Sequence, residues 1–262
     1  FYECMAKIFK GELMNQVPQH VTIVTGGSRG IGAATALLCA QNKHAVCISY
    51  RDQKDKAEQI VAAIKINGGD AIAVQADTAL EADVLRLFTM VDERLGPVTG
   101  LVNNAGVHGQ RIRVDALETS DVERVLAVNV TALFQCSREA IRRMSTQNGG
   151  KGGAIVNVSS GSANLGAPGA GVLYAASKGA VNSLTIGLSQ EVAGEGIRVN
   201  AVAPGLTVTD MPPVEKLDRD GPNVPIGRAA QPEEIAEAIY WLLTDKASYV
   251  AGANLRVGGG RI

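Results

Sequence analysis

The sequence predicts an α/β fold: a single doubly wound domain whose parallel seven-stranded sheet carries helices on both faces. Three observations predict it. Short β-branched runs alternate with helix-length segments along most of the chain. A glycine-rich turn, Gly26 to Gly32, directly follows the first of those runs. No linker, internal repeat or low-complexity tract divides the 262 residues, a length one α/β domain reaches. Strands separated by helices of this length join through right-handed crossovers, which lays them parallel and covers both sheet faces.

The elements follow in order. Val21 to Thr25 reads as a buried strand, and good helix formers run from Ala33 to Gln41. Ala45 to Tyr50 is the next strand, and Lys54 to Asn67 the next helix, ended by Gly68-Gly69. Ala71 to Ala76 is a strand, and Glu81 to Leu95 a helix closed by Gly96-Pro97. Gly100 to Asn103, Ala154 to Ser159, Arg198 to Val202 and Asn254 to Val257 complete the strands. Helices are expected over Ser120–Ser145, Leu173–Val192 and Pro232–Leu243. Between them Pro204 to Pro225 is polar and Pro-rich, and reads as a loop. Residues 1–20 stand apart from this pattern as an N-terminal extension or expression remnant, with Met14 a plausible start; the domain spans 21–262.

Composition narrows the function classes. Hydrophobic residues make up 46% and charged residues 19%, enough for a full core. The net charge of −1 and the lack of a basic run argue against nucleic acid and against a polybasic membrane patch. No apolar run approaches the roughly 20 residues that span a bilayer. The four cysteines, Cys4, Cys39, Cys47 and Cys136, make no CxxC pair, and no metal-ligand spacing appears. Buried free thiols are expected, hence a reducing, cytoplasmic setting.

Several residues point to chemistry. In Thr25-Gly26-Gly27-Ser28-Arg29-Gly30-Ile31-Gly32 the glycines allow a tight turn and close approach to a pyrophosphate, while the following helix offers unpaired N–H groups. The spacing is GxxxGxG rather than GxGxxG. The second strand ends in Ser49-Tyr50-Arg51-Asp52. Arg29 and Arg51 suit the 2′-phosphate of NADP(H), which is favoured over NAD(H); Asp52 in an acidic role is the alternative. Asp77-Thr78 closes the third strand at the ligand-binding edge, where Asp77 serves either an adenine edge or a helix cap. Asn103, Asn104, Ala105 and Gly106 follow the fourth strand and suit a backbone that both holds the sheet and lines a cofactor. Asn129 lies in an apolar helix and either caps a neighbouring carbonyl or holds a water in a proton relay. Ser160, with Ser159 and Ser162 as rivals, can bring a hydroxyl beside Tyr174. Tyr174 and Lys178, four residues apart on one helical face, place an ammonium beside a phenol. That predicts a phenol pKa lowered from about 10 and a tyrosine able to exchange a proton with an alcohol oxygen.

Taken together, TGGSRGIG at 25–32, NNAG at 103–106, Asn129 in VNV, VSS at 158–160, YAASK at 174–178 and Pro204-Gly205 resemble the single-domain short-chain dehydrogenase/reductase family. The chain is similar to its 3-oxoacyl-carrier-protein reductase and glucose-dehydrogenase-like bacterial branches. The resemblance covers Val21 to Gly260 and implies a Rossmann domain. It implies Asn129, Ser160, Tyr174 and Lys178 as a catalytic tetrad, with Ser160 on the substrate oxygen, Tyr174 as acid and base, Lys178 on the nicotinamide ribose and Asn129 on a relay water. It places Pro204, Gly205 and Thr209 against the nicotinamide. It implies NADP(H)-dependent interconversion of a small carbonyl compound and a secondary alcohol, and a homotetramer or homodimer built on the helices 120–145 and 173–192; the polar, Pro-rich segment 206–225, adjacent to that site, is expected to form a mobile lid. The alternatives are an NAD(H)-linked sugar or polyol dehydrogenase and a silent cofactor-binding regulator. One departure stands out: Ser160 to Tyr174 is one residue longer than the commonest family spacing.

Overall fold

The computed structural model describes residues 20–169 and 171–261. The expectation for the first 20 residues therefore lies, His20 apart, outside the described residues, as does Cys4. The strands are β1 (His20–Val24), β2 (His44–Tyr50), β3 (Ala71–Gln75), β4 (Gly100–Asn103), β5 (Gly153–Val158), β6 (Ile197–Pro204) and β7 (Asn254–Val257). They pair in the order β3-β2-β1-β4-β5-β6-β7, every pair parallel. The chain winds outward from β1 to β3 and then crosses back to β4 on the other side. The junction of β1 and β4 is thus the switch point, where the carboxyl ends of the strands open a crevice.

The helices are α1 (Gly30–Gln41), α2 (Lys54–Ile66), α3 (Glu81–Arg94), α4 (Thr119–Leu126), α5 (Ala132–Met144), α6 (Ser162–Leu165), α7 (Val172–Val192), α8 (Val214–Asp220) and α9 (Pro232–Leu243). Strand side chains alternate between two cores because the side-chain period is two. Val21 and Ile23 of β1 and Ala45 and Cys47 of β2 meet Leu87 and Phe88 of α3 and Ala140 and Met144 of α5. Val24, Val46 and Ile48 face the other way, onto Ala36 and Cys39 of α1 and Ile235, Ile239 and Leu242 of α9. Phe88 is fully buried, and truncating such a ring costs about 3–5 kcal/mol. Helix α9 begins on a capping box, in which the Gln231 N–H donates to Glu234 Oε2 at 2.8 Å, with Pro232 in the first turn. Cys39, Cys47 and Cys136 are free and buried, as expected.

Two expectations are corrected, and one short helix is added. The helix expected over 120–145 is interrupted by a π turn, Ala127–Thr131, between α4 and α5. Such a turn inserts one residue and re-aims a side chain, here that of Asn129. The single-turn helix α6 is too short to leave a period in the sequence, and Gly166, at φ +70°, closes it. The stretch read as a loop over 204–225 holds α8, for which Pro213 sets the entry at φ −58° and the Lys216–Asp220 pair links successive turns. Among the described residues no helix is long and apolar enough to cross a membrane, and no cluster of His, Cys, Asp and Glu suits a metal ion.

Candidate active site

A cleft of about 1000 Å³ lies at the carboxyl ends of the strands, running from the glycine turn past Tyr174 to the segment after β6. Its first wall is the turn itself. Gly26 sits at φ +63°, a conformation an L side chain rarely adopts. Thr25 Oγ1 accepts from the N–H groups of Asn104 and Ala105, each at 3.0 Å. Asn104 Nδ2 in turn donates to the carbonyls of Thr25 and Gly26 at 2.9 and 3.0 Å. The turn is thereby clamped to the loop after β4. Gly26, Ser28, Arg29, Gly30 and Ile31 face the cleft. A side chain at Gly30 would crowd Thr209 Cγ2 at 3.1 Å. No side chain caps the start of α1, so its first N–H groups remain open at the positive end of the helix. This open cradle of donors fits a dinucleotide pyrophosphate.

Gly32, expected to bind cofactor, does not line the cleft. A Cβ there would stand 2.5 Å from both Asn104 Nδ2 and the Gly26 carbonyl, so its work is to seat α1 against the turn. Asn103 is likewise corrected. It is 2% exposed, and its Nδ2 donates to Asn157 Oδ1 at 2.9 Å and to Ser137 Oγ at 3.2 Å, tying β4 to β5 and α5 inside the core. Ala105 and Gly106 do line the cleft, as do Asp77 and Thr78. The Asp77 carboxylate is engaged in the turn before α3, where Oδ1 accepts from the Ala79 N–H at 3.0 Å.

Arg51 and Arg29 both reach the cleft at the β2 end. Arg51 pairs with Asp52 at 2.7 Å, and Arg29 shares Asp210 with Lys56, at 3.4 and 3.3 Å. All three pairs are well exposed, so releasing a guanidinium toward a ligand costs little. Pro204, Gly205 and Thr209 line the opposite wall.

Of the four expected catalytic residues, the structure brings Ser160, Tyr174 and Lys178 into the cleft lining and leaves Asn129 behind it. Ser160 stands beside the Tyr174 hydroxyl and draws the phenol pKa down, against the larger rise that burial imposes. Net, the phenol is pushed above its ordinary range, which corrects the expectation that Lys178 lowers it. The Lys178 ammonium lies 5.8 Å from the phenol ring centre and donates to the Val158 carbonyl at 2.7 Å. It is 3% exposed, and burial brings its pKa down to about 8. The two rival serines are placed otherwise. Ser159 donates to Asn182 Oδ1 and the Lys178 carbonyl, and the Ser162 N–H donates to Ser160 Oγ.

Asn129 is fully buried. Its Oδ1 accepts from the Val107 N–H and its Nδ2 donates to the Val107 carbonyl, both at 2.8 Å, and Nδ2 also donates to Ser177 Oγ at 3.0 Å. The side chain thus anchors the loop after β4. Oδ1 also stands near Lys178 Nζ across the space beside Gly106, where a Cβ would meet them at 3.4 and 3.5 Å.

Sequence reasoning missed two participants, Ser177 and His108, and the clamping role of a third, Asn104. Asn104 is the clamp of the glycine turn, Ser177 orients Asn129, and His108 stacks on the Tyr174 ring at 4.7 Å and 15°. Only the position of His108, two residues after NNAG, signals it in the sequence.

A glycine-turn cradle beside a buried Tyr/Lys pair defines a nucleotide-linked oxidoreductase. The family model described as Enoyl-(Acyl carrier protein) reductase matches residues 26–261. The chain is 48% identical to the uncharacterized oxidoreductase YgfF of Escherichia coli, over 92% of this chain and 99% of that protein. It is 36% identical to a 3-oxoacyl-[acyl-carrier-protein] reductase of Synechocystis, over 95% and 99%. A solved short chain dehydrogenase from Burkholderia cenocepacia, in complex with NADP, matches with a TM-score of 0.86 and 35% identity over 94% of this chain and 99% of that one. The chain belongs to the short-chain dehydrogenase/reductase family. It is an oxidoreductase that acts on a CH–OH or carbonyl group of a small molecule with NAD(P).

Proposed function

We propose that the protein is an NADP(H)-dependent carbonyl reductase in which Tyr174 handles the proton. The observation that carries this is the gathering of Tyr174, Ser160 and Lys178 in the cleft whose other end is the glycine cradle. When bound, the nicotinamide supplies or accepts the hydride at the carbonyl carbon. The residues do the rest. Ser160 donates a hydrogen bond to the carbonyl oxygen. Tyr174 passes its phenolic proton to that oxygen as the C–H bond forms, giving the alcohol, and takes it back in oxidation. Burial keeps the phenol protonated near neutral pH, which suits it as the acid of the reductive direction. Lys178, with a pKa near 8, is matched to returning a proton to the phenolate.

Several finer assignments belong to the same reading. Arg29 and Arg51 hold the 2′-phosphate, and the Burkholderia relative with bound NADP supports that preference. Thr78, Ala105, Gly106, Pro204, Gly205 and Thr209 line the rest of the cofactor's path. Residues 206–225 act as a lid carried on α8. Exposed Phe134 on α5 and Ile186 on α7 give the apolar faces for a two-fold assembly, which sedentation by size in solution tests as dimer or tetramer against monomer.

The deciding experiment is NADPH oxidation over a panel of ketones, sugars and acyl thioesters, comparing wild type with Tyr174→Phe. Loss of turnover with NADPH binding retained is the expected result. Unchanged turnover in the variant overturns the assignment.

A further inference from the structure

We infer that the loop 107–114 forms an anion subsite facing Tyr174, so that the substrate is a carbonyl compound carrying a carboxylate. The inference deepens the carbonyl-reductase reading and rests on it.

The charges lining the cleft are not evenly spread. Its carboxylates are Asp52, Asp77 and Asp210, and each is engaged: Asp52 with Arg51, Asp77 with the Ala79 N–H, Asp210 with Arg29 and Lys56. The cations at the Tyr174 end are Arg111, Lys216, Arg256 and Arg261. Arg256 is spent on backbone, donating to the carbonyls of Ala203, Pro204 and Arg261 at 3.1, 2.9 and 3.0 Å. Lys216 is paired with Asp220. Arg111 and Arg261 have no carboxylate partner among the described residues; Arg111, exposed on the cleft wall, makes one hydrogen bond, a long one of 3.4 Å to the Met211 carbonyl, and it is the cation of the loop that holds His108. Its charge is nonetheless felt at the centre of the site, lowering the pKa of both His108 and Tyr174. A guanidinium that lines a catalytic cleft without a protein anion to hold it is matched to an anion brought by the substrate.

His108 supports this placement. Its ring lies flat against Tyr174, and its Nδ1 is buried without a hydrogen-bond partner among the described residues. Burial and then Arg111 lower its pKa, with a smaller push from Lys216 in the same direction, while the Gly109 backbone opposes the shift. With Arg113 paired to Asp115 and Lys216 to Asp220, Arg111 is, among the described residues, the one unpaired cation facing His108 from the loop and from α8, and a single guanidinium fits a carboxylate better than a phosphate dianion. The loop is held to this duty by Asn129, whose two bonds to Val107 fix the residue just before His108.

The test uses acetoacetate and levulinate, each against its uncharged ethyl ester, with saturating NADPH. In wild type, kcat/KM for the acid should exceed that for the ester by about tenfold, one well-made charged contact. Arg111→Met should collapse the acid-to-ester ratio, through KM for the acid, and Arg111→Lys should restore part of it. A variant that merely folds badly lowers both substrates and leaves the ratio alone. Where turnover is too slow to read, calorimetric titration of the acids into the NADP+ complex of Tyr174→Phe replaces it, with binding lost in Tyr174→Phe/Arg111→Met. A wild-type preference for the ester, a ratio unmoved by Arg111→Met, or acids that neither react nor bind overturns the inference. Reduction of neutral ketones that depends on Tyr174 would leave the carbonyl-reductase reading standing in each of those cases.

Discussion

The two ends of the cleft are built on opposite terms. At the glycine turn the supporting side chains are satisfied by protein: Thr25 and Asn104 exchange four hydrogen bonds with their neighbours, so the turn is fixed before any ligand arrives, and only the N–H groups at the start of α1 are left open for one. Around Tyr174 the wall is left in debt. Lys178 is buried with one carbonyl for company, the phenol is held protonated by burial, His108 Nδ1 lacks a partner, and Arg111 lacks an anion. A rigid, satisfied surface suits a ligand whose shape never changes. Unsatisfied groups and shifted pKa values suit the place where a proton moves and charge is redistributed.

The sharpest way to break this contrast is at Tyr174. Tyr174→Phe removes the proton and little else, and general acid catalysis of this kind is worth about 10²–10⁴ in rate. We expect kcat to fall by roughly 10³ with NADPH affinity within a few-fold of wild type. A second expectation concerns the cost of the buried cation. The folded pKa of Lys178, about 8, lies below the ordinary lysine value of 10.5. Between those values the unfolded chain binds the proton that the native state has released, so stability contributed at this site rises with pH through that window. Compared with Lys178→Met, wild type should gain up to about 3 kcal/mol between pH 8 and pH 10.5. Denaturant melts of the two proteins across that range check it; because the thiols and the other tyrosines titrate in both, their contribution cancels in the difference. Parallel curves would mean that Lys178 is not desolvated.

Much of this was legible in the sequence, and the boundary has a physical cause. The glycine turn and the Tyr174/Lys178 pair are local patterns, in which spacing alone dictates geometry, and the parallel order follows from the alternation of elements. What spacing does not encode is where a polar side chain spends its hydrogen bonds. Asn103 reads as a cofactor ligand because it stands in NNAG, yet its partners Ser137 and Asn157 lie 34 and 54 residues away. Asn129 reads as a residue within one continuous helix because the π turn changes the count by a single residue. The direction of the Tyr174 shift was misjudged for a related reason. Helical proximity put Lys178 next to the phenol, but the ammonium turns toward Val158, and burial, which only the assembled fold sets, dominates.

The satisfied end of the cleft should respond to mutation through stability rather than through chemistry. Gly32→Ala places a methyl group 2.5 Å from the Asn104 amide and the Gly26 carbonyl. Overpacking of this kind costs about 1–3 kcal/mol. Part of the loss should appear as weaker cofactor binding, because the same Asn104 amide holds the turn. Thermal melts with and without NADPH separate the two effects. A variant that melts with wild type would mean that the turn is looser than its hydrogen bonds imply.

The smallest effect is expected where the satisfied end meets solvent. Arg51 is tied to Asp52, and Arg29 to Asp210, by exposed pairs of the kind worth about 0–1 kcal/mol. A 2′-phosphate offers either guanidinium a charged hydrogen bond worth about 1.5–3 kcal/mol, so exchanging the carboxylate for the phosphate is favourable. Arg51→Ala should therefore raise KM for NADPH by about tenfold while leaving KM for NADH nearly unmoved, since a ribose hydroxyl has no charge to lose. Arg29→Ala should do less, because Lys56 stays on Asp210 and the segment after β6 keeps that tether. If the NADH constant rises with the NADPH constant, Arg51 supports the loop rather than reading the phosphate. The cofactor preference would then rest on Arg29 alone, at the start of α1.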